Sequence, residues 1–313
     1  MLKTAVIALG GNAITRESEE GDIGQQFINT RKSLIGVVDL IERGYQLVIT
    51  HGNGPQVGNA LIRVEASRHL VPPLPLEIIV ADLQGGMGYM IEQSLQNELN
   101  RRGIKRSVTT VVTQVIVDKN DPSILNPTKF VGPFYTREEV EKLRKERGWI
   151  IKEDPGRGYR RVVPSPHPLE IVEKEVIKTL FGAGLIVIAS GGGGIPVYRR
   201  EEGTLEGIDG VIDKDRTAAV LARDVGAEEL INLTAVEKVA LNFRKENQID
   251  LDKLTVREAK RYLAEGHFPP GSMGPKIESA IDFLESGGKR VIITSVEKLV
   301  EAIEGKTGTR IVP

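Results

Sequence analysis

The 313 residues exceed what one ordinary hydrophobic core needs, and 40% hydrophobic content supports a full core without outside help. Lysine plus arginine number 42 against 43 aspartate plus glutamate, a formal net charge of −1 that argues against a broad nucleic-acid footprint. No apolar run approaches the ~20 residues of a membrane span, and the absence of cysteine removes disulfides, thiolate nucleophiles and Cys-based zinc sites together.

Lys3 to Leu9 reads as a buried strand feeding a tight turn at Gly10-Gly11-Asn12, without the regions of a signal peptide. Phe27 to Arg43 places Phe27, Leu34, Val38 and Ile41 on one helical stripe, with Gly44 as its stop. Tyr45 to Thr50 is a second strand, and Pro55 after His51-Gly52-Asn53-Gly54 suits the first turn of a helix. Leu76 to Arg102 reads as a longer helix interrupted by Gly85-Gly86, and Ser107 to Val117 as β structure. Alternating strands and helices predict an α/β fold, a mostly parallel sheet with helices on both faces.

The alternation stops near Asp118 and resumes near Leu169. Between them stand several prolines and a short helix from Thr136 to Arg147, opened by capping-box spacing at Thr136 and Glu139. Trp149–Glu153 and Tyr159–Val163 flank a hairpin loop at Asp154 to Gly158. This is too structured for a linker, so residues 1–117 and 169–313 are expected to be two lobes and 118–168 an inserted, protruding lid. Beyond it, Leu185–Ala189 is a strand ending in Ser190 and four glycines. Arg216–Val225 is helical, Leu230–Thr234 a strand, Val256–Glu265 a helix and Arg290–Thr294 a strand.

Glycine-rich turns thus close three strands, at 10–11, 52–54 and 191–194. Such turns let backbone N–H groups approach an anion, and a helix start adds a favourable field; taken singly, each is equally a turn that needs positive φ. Three together at strand ends of one sheet favour phosphate binding, because α/β ligands gather at that edge. Gly305-Lys306-Thr307 resembles the tail of a phosphate-binding loop, but position 300 is Val300 where that motif needs glycine. Gly52, Gly54 and Gly58 resemble a dinucleotide fingerprint, which keeps a nicotinamide-dependent dehydrogenase as a competing class, although no strand with an acidic end follows near residue 76. Lys129, Lys214 and Lys276 lie on Gly/Pro-shaped turns, where a cation can point inward rather than into solvent; fixed positive charge is what phosphoryl transfer requires. His51 is read as a structural hydrogen-bonding residue.

Taken together and in order, several motifs resemble the carbamate kinases, a branch of the amino acid kinase superfamily. They are Ala8 to Ala13, Thr50 to Gly58, Asp118 to Pro122, Asn126 to Lys129 with Val131 to Tyr135, Arg160 to Pro166, Ser190 to Val197, Val211 to Asp215 and Gly271 to Lys276. The resemblance covers essentially the whole chain. It implies a three-layer αβα sandwich on an eight-stranded sheet, a cytoplasmic homodimer, and reversible phosphoryl transfer between ATP and carbamate, giving carbamoyl phosphate and ADP, within arginine metabolism. By the same match, Gly10, Gly11, Asn12, Gly52 and Asn53 would cradle the transferring group. Lys129, Lys214 and Lys276 would neutralise charge, with Asp215 orienting lysines. The C-terminal half would hold ATP or ADP through Ser190, Gly191, Gly192, Thr234 and Met273. Mg²⁺ would ride on the nucleotide phosphates, with no residue of the chain assigned as a metal ligand. A sibling kinase acting on another small acid is the nearest alternative. Two departures stand out: Ala8 occupies the position where acetylglutamate and glutamate kinases resemble Lys-x-Gly-Gly, and Ala235 follows Thr234 where many relatives carry Asp or Asn.

Overall fold

The computed structural model describes residues 3–16, 19–154 and 157–313. The first half runs β1 (Lys3–Leu9), α1 (Ile23–Glu42), β2 (Tyr45–His51), α2 (Gly54–Ser67), α3 (Leu76–Arg101), β3 (Val108–Val111) and β4 (Gln114–Val117). Then come α4 (Pro122–Leu125), β5 (Lys129–Tyr135), α5 (Arg137–Arg147), β6 (Ile151–Asp154), β7 (Gly158–Val163) and β8 (Pro168–Ile171). The second half holds α6 (Lys174–Gly182), β9 (Ile186–Ala189), β10 (Ile195–Arg199), β11 (Leu205–Gly207), α7 (Lys214–Val225) and β12 (Glu229–Thr234). It continues with β13 (Val239–Leu241), β14 (Ile249–Leu251), β15 (Lys253–Thr255), α8 (Val256–Ala264), α9 (Met273–Glu285), β16 (Arg290–Ser295), α10 (Leu299–Glu304) and β17 (Thr309–Val312).

Eight strands form the central sheet in the order β15-β17-β16-β12-β1-β2-β9-β3, and β16–β17 is its one antiparallel pairing. Side chains alternate between its faces, as the pleat requires. Val6, Ala8, Val48, Val187 and Leu230 join the core built with α7 and α9, whereas Ala5, Ile7, Leu9, Ile49 and Ile231 join the core built with α1 and α3. Near-continuous apolar strands such as Val-Ile-Ala-Leu are therefore covered on both faces. The three-layer α/β sandwich expected from the alternation is the observed architecture.

One local reading is corrected and another refined. The helix α3 runs unbroken through Gly85 and Gly86, because residues on both sides of the pair, Val80, Met87 and Ile91, are buried and hold it against the core. Tertiary packing outweighs the ~1 kcal/mol that each interior glycine costs a helix. Nearby, Gly88 is sterically required: a Cβ there would lie 2.3 Å from Thr110 Cγ2. The β structure expected over Ser107–Val117 is present as two strands in different sheets. They part at Thr113, whose N–H donates to Gln84 Oε1 (2.8 Å) in place of a strand partner and whose carbonyl accepts from both Gln84 Nε2 (3.0 Å) and Ile195 N of β10 (3.0 Å).

β4 and β8 pair antiparallel in a second sheet ordered β11-β10-β4-β8. The residues between them build a separate three-stranded sheet, β5-β7-β6, with α5 beside it. Thr136 and Glu139 form a reciprocal capping box at the start of α5, and Asp154 pairs with Gly158 across the hairpin; Pro155 and Gly156 lie outside the described residues.

Candidate active site

The site begins where the parallel strands end. Gly10 follows β1 and donates its N–H to Leu233 O of the neighbouring β12 (2.9 Å); a Cβ at this position would meet that oxygen at 2.6 Å. Gly52 follows β2 and donates to Leu9 O (3.0 Å), tying the two turns together. The helix α2 starts at Gly54 with Asn53 as a cap residue that makes no side-chain capping bond, so its first N–H groups remain free to meet an anion. The third turn follows β9. Ser190, Gly192, Gly193 and Gly194 all have positive φ, and a Cβ on Gly191 or Gly192 would strike the His51 ring (2.3 Å) or the Asn53 amide (2.0 Å). The three turns therefore interlock.

The helix α7 supplies the charge. Lys214 and Asp215 stand in its first turn, and Lys276 reaches them from the first turn of α9. Asp215 accepts from Lys214 Nζ through one oxygen (2.5 Å) and from Lys276 Nζ through the other (2.6 Å). Their side chains are 12%, 7% and 11% exposed for Lys214, Asp215 and Lys276, so this is a nearly dry triad. Burial pushes the Asp215 carboxyl up, but the two ammonium groups outweigh it and hold it well below the usual carboxylate range. Burial also pulls Lys214 down from its ordinary value, against the attraction of Asp215 and with the repulsion of Lys276. The stem of Lys214 lies across the turns: a Cβ on Gly52 would be 3.3 Å from its Cδ and 3.4 Å from Gly11 N.

Lys129, the first residue of β5, enters from the separate three-stranded sheet. Its Nζ donates to Asp213 Oδ2 (3.1 Å). A cavity of about 270 Å³ is lined by Gly11, Gly52, Asn53, Gly192, Lys129 and Lys214, together with Asp213 and Asp215. Two ammonium groups and two carboxylates line it, and Lys276, bonded to Asp215 from the neighbouring cavity, makes the cluster as a whole positive. Ala8 helps to explain the arrangement. It is fully buried on the face of β1 that packs with Ala218, Ala219 and Ala222 of α7, so a small residue there admits the helix whose first residue is Lys214.

A second cavity of about 290 Å³ opens at the end of β12, lined by Asn12, Thr234, Ala235, Val236, Phe268, Met273 and Lys276 among others. Lys276 lines this cavity while bonding Asp215 of the first, and so stands at the junction. Thr234 and Met273 are brought here. Ser190, Gly191 and Gly192, grouped with them from the sequence, are not. β9 lies on the far side of β1 and β2 from β12, so Gly192 lines the lysine cavity and Ser190 and Gly191 are buried beneath it. Gly10 is likewise buried as part of the floor, and Asn12 faces the second cavity. Asp213 was not singled out from the sequence, although its place directly before a Lys-Asp helix start is the ordinary signature of a helix cap.

His51 is buried with Nδ1 3.3 Å from Gly52 O and Nε2 without a partner. Burial lowers its pKa to about 4; the hydrogen bond to Gly52 opposes this and Lys214 adds to it. A neutral imidazole wedged under Gly191 is a structural element of the turns.

A model of the amino acid kinase family matches residues 3–295, and the chain belongs to that family. It is 50% identical over 315 residues to the carbamate kinase of Pyrococcus horikoshii, with 100% of each chain covered. Identity to the carbamate kinase of Thermococcus kodakarensis is 51% over 314 residues, covering 99% of each. Among solved structures, the carbamate kinase from Giardia lamblia bound to AMP-PNP superposes with a TM-score of 0.94 at 42% identity, over 99% of this chain and 98% of that one.

Proposed function

We propose that this protein transfers a phosphoryl group reversibly between ATP and carbamate, giving ADP and carbamoyl phosphate. The observation that carries the reading is the buried Lys214–Asp215–Lys276 triad set over the interlocked turns at Gly11 and Gly52. Phosphoryl transfer asks little covalent work of a protein and much fixed positive charge around the equatorial oxygens of the migrating group. The N–H groups at Gly11, Gly52 and the start of α2, with the Asn53 amide, would hold carbamate and the phosphoryl group. Carbamate is small, planar and anionic, in keeping with a cavity of about 270 Å³. Lys129 would meet the acid side and Lys214 the transferring group in line, with Lys276 on the β- and γ-phosphates. The nucleotide would lie in the cleft of Thr234, Ala235, Phe268 and Met273, which the full-length likeness to a nucleotide-bound carbamate kinase supports.

Mg²⁺ suits this site only as a passenger of the phosphates. Both Asp215 oxygens already carry a lysine, and the Asp213 oxygens accept from Asp215 N and Lys129 Nζ. Each carboxylate oxygen in the cavity lining is thus already paired, and the N–H groups there hold phosphate oxygens rather than a cation. When bound there it would neutralise phosphate charge. Residues 118–168 would be a lid over the acid side, the N-terminal lobe the acid site and the C-terminal lobe the nucleotide site. The protein would work as a cytoplasmic homodimer. Among the described residues no helix is long and apolar enough to cross a membrane. The deciding test is ATP formation from ADP and carbamoyl phosphate by purified protein, with acetyl phosphate as control. Equal rates on both donors would favour a sibling acid kinase, and no ATP from either would end the reading.

A further inference from the structure

We infer that Asp213 is a positioning residue that latches Lys129 of the inserted sheet to the start of α7; this rests on the proposed function. The two carboxylate oxygens of Asp213 face different partners. Oδ1 caps α7 by accepting from Asp215 N (3.0 Å), and Oδ2 accepts from Lys129 Nζ (3.1 Å). Its side chain is 15% exposed, whereas that of Lys129 is 38% exposed. Lys214 and Lys276 are held by burial and by Asp215. Lys129 is the wetter cation, and without a fixed anion its four rotatable bonds would leave its ammonium spread over many positions.

The platform under Asp213 is rigid and is itself tied to the inserted sheet. Val211 N donates to Pro164 O (3.0 Å), just after β7, and Arg161 of β7 pairs with Asp209 (2.7 Å). On its other side the loop presses on the third glycine turn, where a Cβ on Gly193 would stand 2.5 Å from Ile212 O. One loop therefore receives the inserted sheet through Asp209 and Asp213 and hands directly into Lys214. Placement of Lys129 and placement of Lys214 share a single anchor, and Asp213 is where they meet.

Asp213→Ser keeps a helix cap but is too short to reach Lys129, while Asp213→Asn keeps the cap and a neutral acceptor. With wild type first shown to make ATP from carbamoyl phosphate, Asp213→Ser should lower kcat/KM for carbamoyl phosphate about tenfold, the scale expected for a misplaced catalytic group. Asp213→Asn should fall between it and wild type. The ADP Kd and the Tm should stay unchanged, since neither cap nor cleft is touched. In a Lys129→Ala background Asp213→Ser should cost nothing further. Hydrogen exchange along β5, which needs no substrate, should quicken in Asp213→Ser and in Lys129→Ala alike, and no more in the double variant. An undiminished rate for Asp213→Ser, a full tenfold loss added to Lys129→Ala, or unchanged β5 exchange would each overturn the latch. Failure of wild type to make ATP would instead overturn the proposed function, leaving the exchange result to judge the latch.

Discussion

The two cavities at the sheet edge solve different electrostatic problems with different materials. The cavity between β1, β2 and β9 is walled by glycine backbone and holds a buried ionised triad. The one at the end of β12 is walled by Ala235, Val236, Phe268, Pro269 and Met273, with Lys238, Arg244 and Lys276 also in its lining. Buried charge is costly unless each ion is paired and hydrogen-bonded. The first cavity meets that condition by giving one carboxylate to two lysines, which leaves the ammonium groups positioned and the surplus charge positive. The second adds Lys238, Arg244 and Lys276 to its apolar walls and has no carboxylate in its lining, which suits a nucleotide that brings its own negative charge. The buried, paired charge sits where charge is to migrate, and further cations line the neighbouring cleft.

That contrast predicts a ranking of losses. Asp215→Ala should do the most damage, because it leaves two lysines buried without a partner. Breaking a buried pair in this way costs about 3–5 kcal/mol of stability, and activity should fall below detection. Thermal unfolding read beside ATP formation checks both, and a stable, active variant would show that the triad is not held by its charge.

Lys214→Ala should lower kcat by about 10²–10³-fold, the usual loss for one preorganised transition-state donor, with KM for carbamoyl phosphate changing far less. Steady-state kinetics separate the two, and a change confined to KM would make Lys214 a ground-state contact. Replacing Ala8 by lysine is expected to destabilise the protein rather than rescue this variant, since Ala8 is fully buried against the small residues of α7.

The floor of the same cavity should be acid-sensitive. His51 has its pKa lowered from 6.5 to about 4, so its contribution is fully present above pH 6.5 and is lost as pH falls through about 4. The shift corresponds to about 3 kcal/mol. Stability measured from pH 7 to pH 4 should therefore drop less in a folded His51→Gln variant than in wild type; equal slopes would place the titrating group elsewhere.

Lys129→Ala should lower kcat/KM for carbamoyl phosphate by about 10²-fold while the ADP Kd stays as it was. The mildest effect belongs to the other cavity. Met273→Ala should raise the KM for ADP about fivefold, in line with roughly 1 kcal/mol for trimming an apolar contact, and leave the acid side untouched. If both substrates were weakened equally, the division between the cavities would fail.

Much of this was legible in the chain itself. The alternation of apolar strands and amphipathic helices predicted the layered sheet, because period and burial are local properties that solvent exclusion imposes on the sequence. The glycine turns and the lysines on shaped turns were legible for a similar reason, since positive φ and close backbone approach restrict which residue can stand there. What the sequence left open is what depends on strand order. Ser190–Gly191–Gly192 reads as one more phosphate turn, but only the placement of β9 beside β2 sends it under the lysine cavity and away from Thr234 and Met273. The break at Thr113 needed Gln84 from a helix 29 residues away to claim its backbone. Asp213 carries no mark beyond that of a helix cap until Lys129, 84 positions earlier, comes within 3.1 Å. Residue types and periods are set along the chain; which charges meet is decided by the crossovers that bring distant strand ends to one edge.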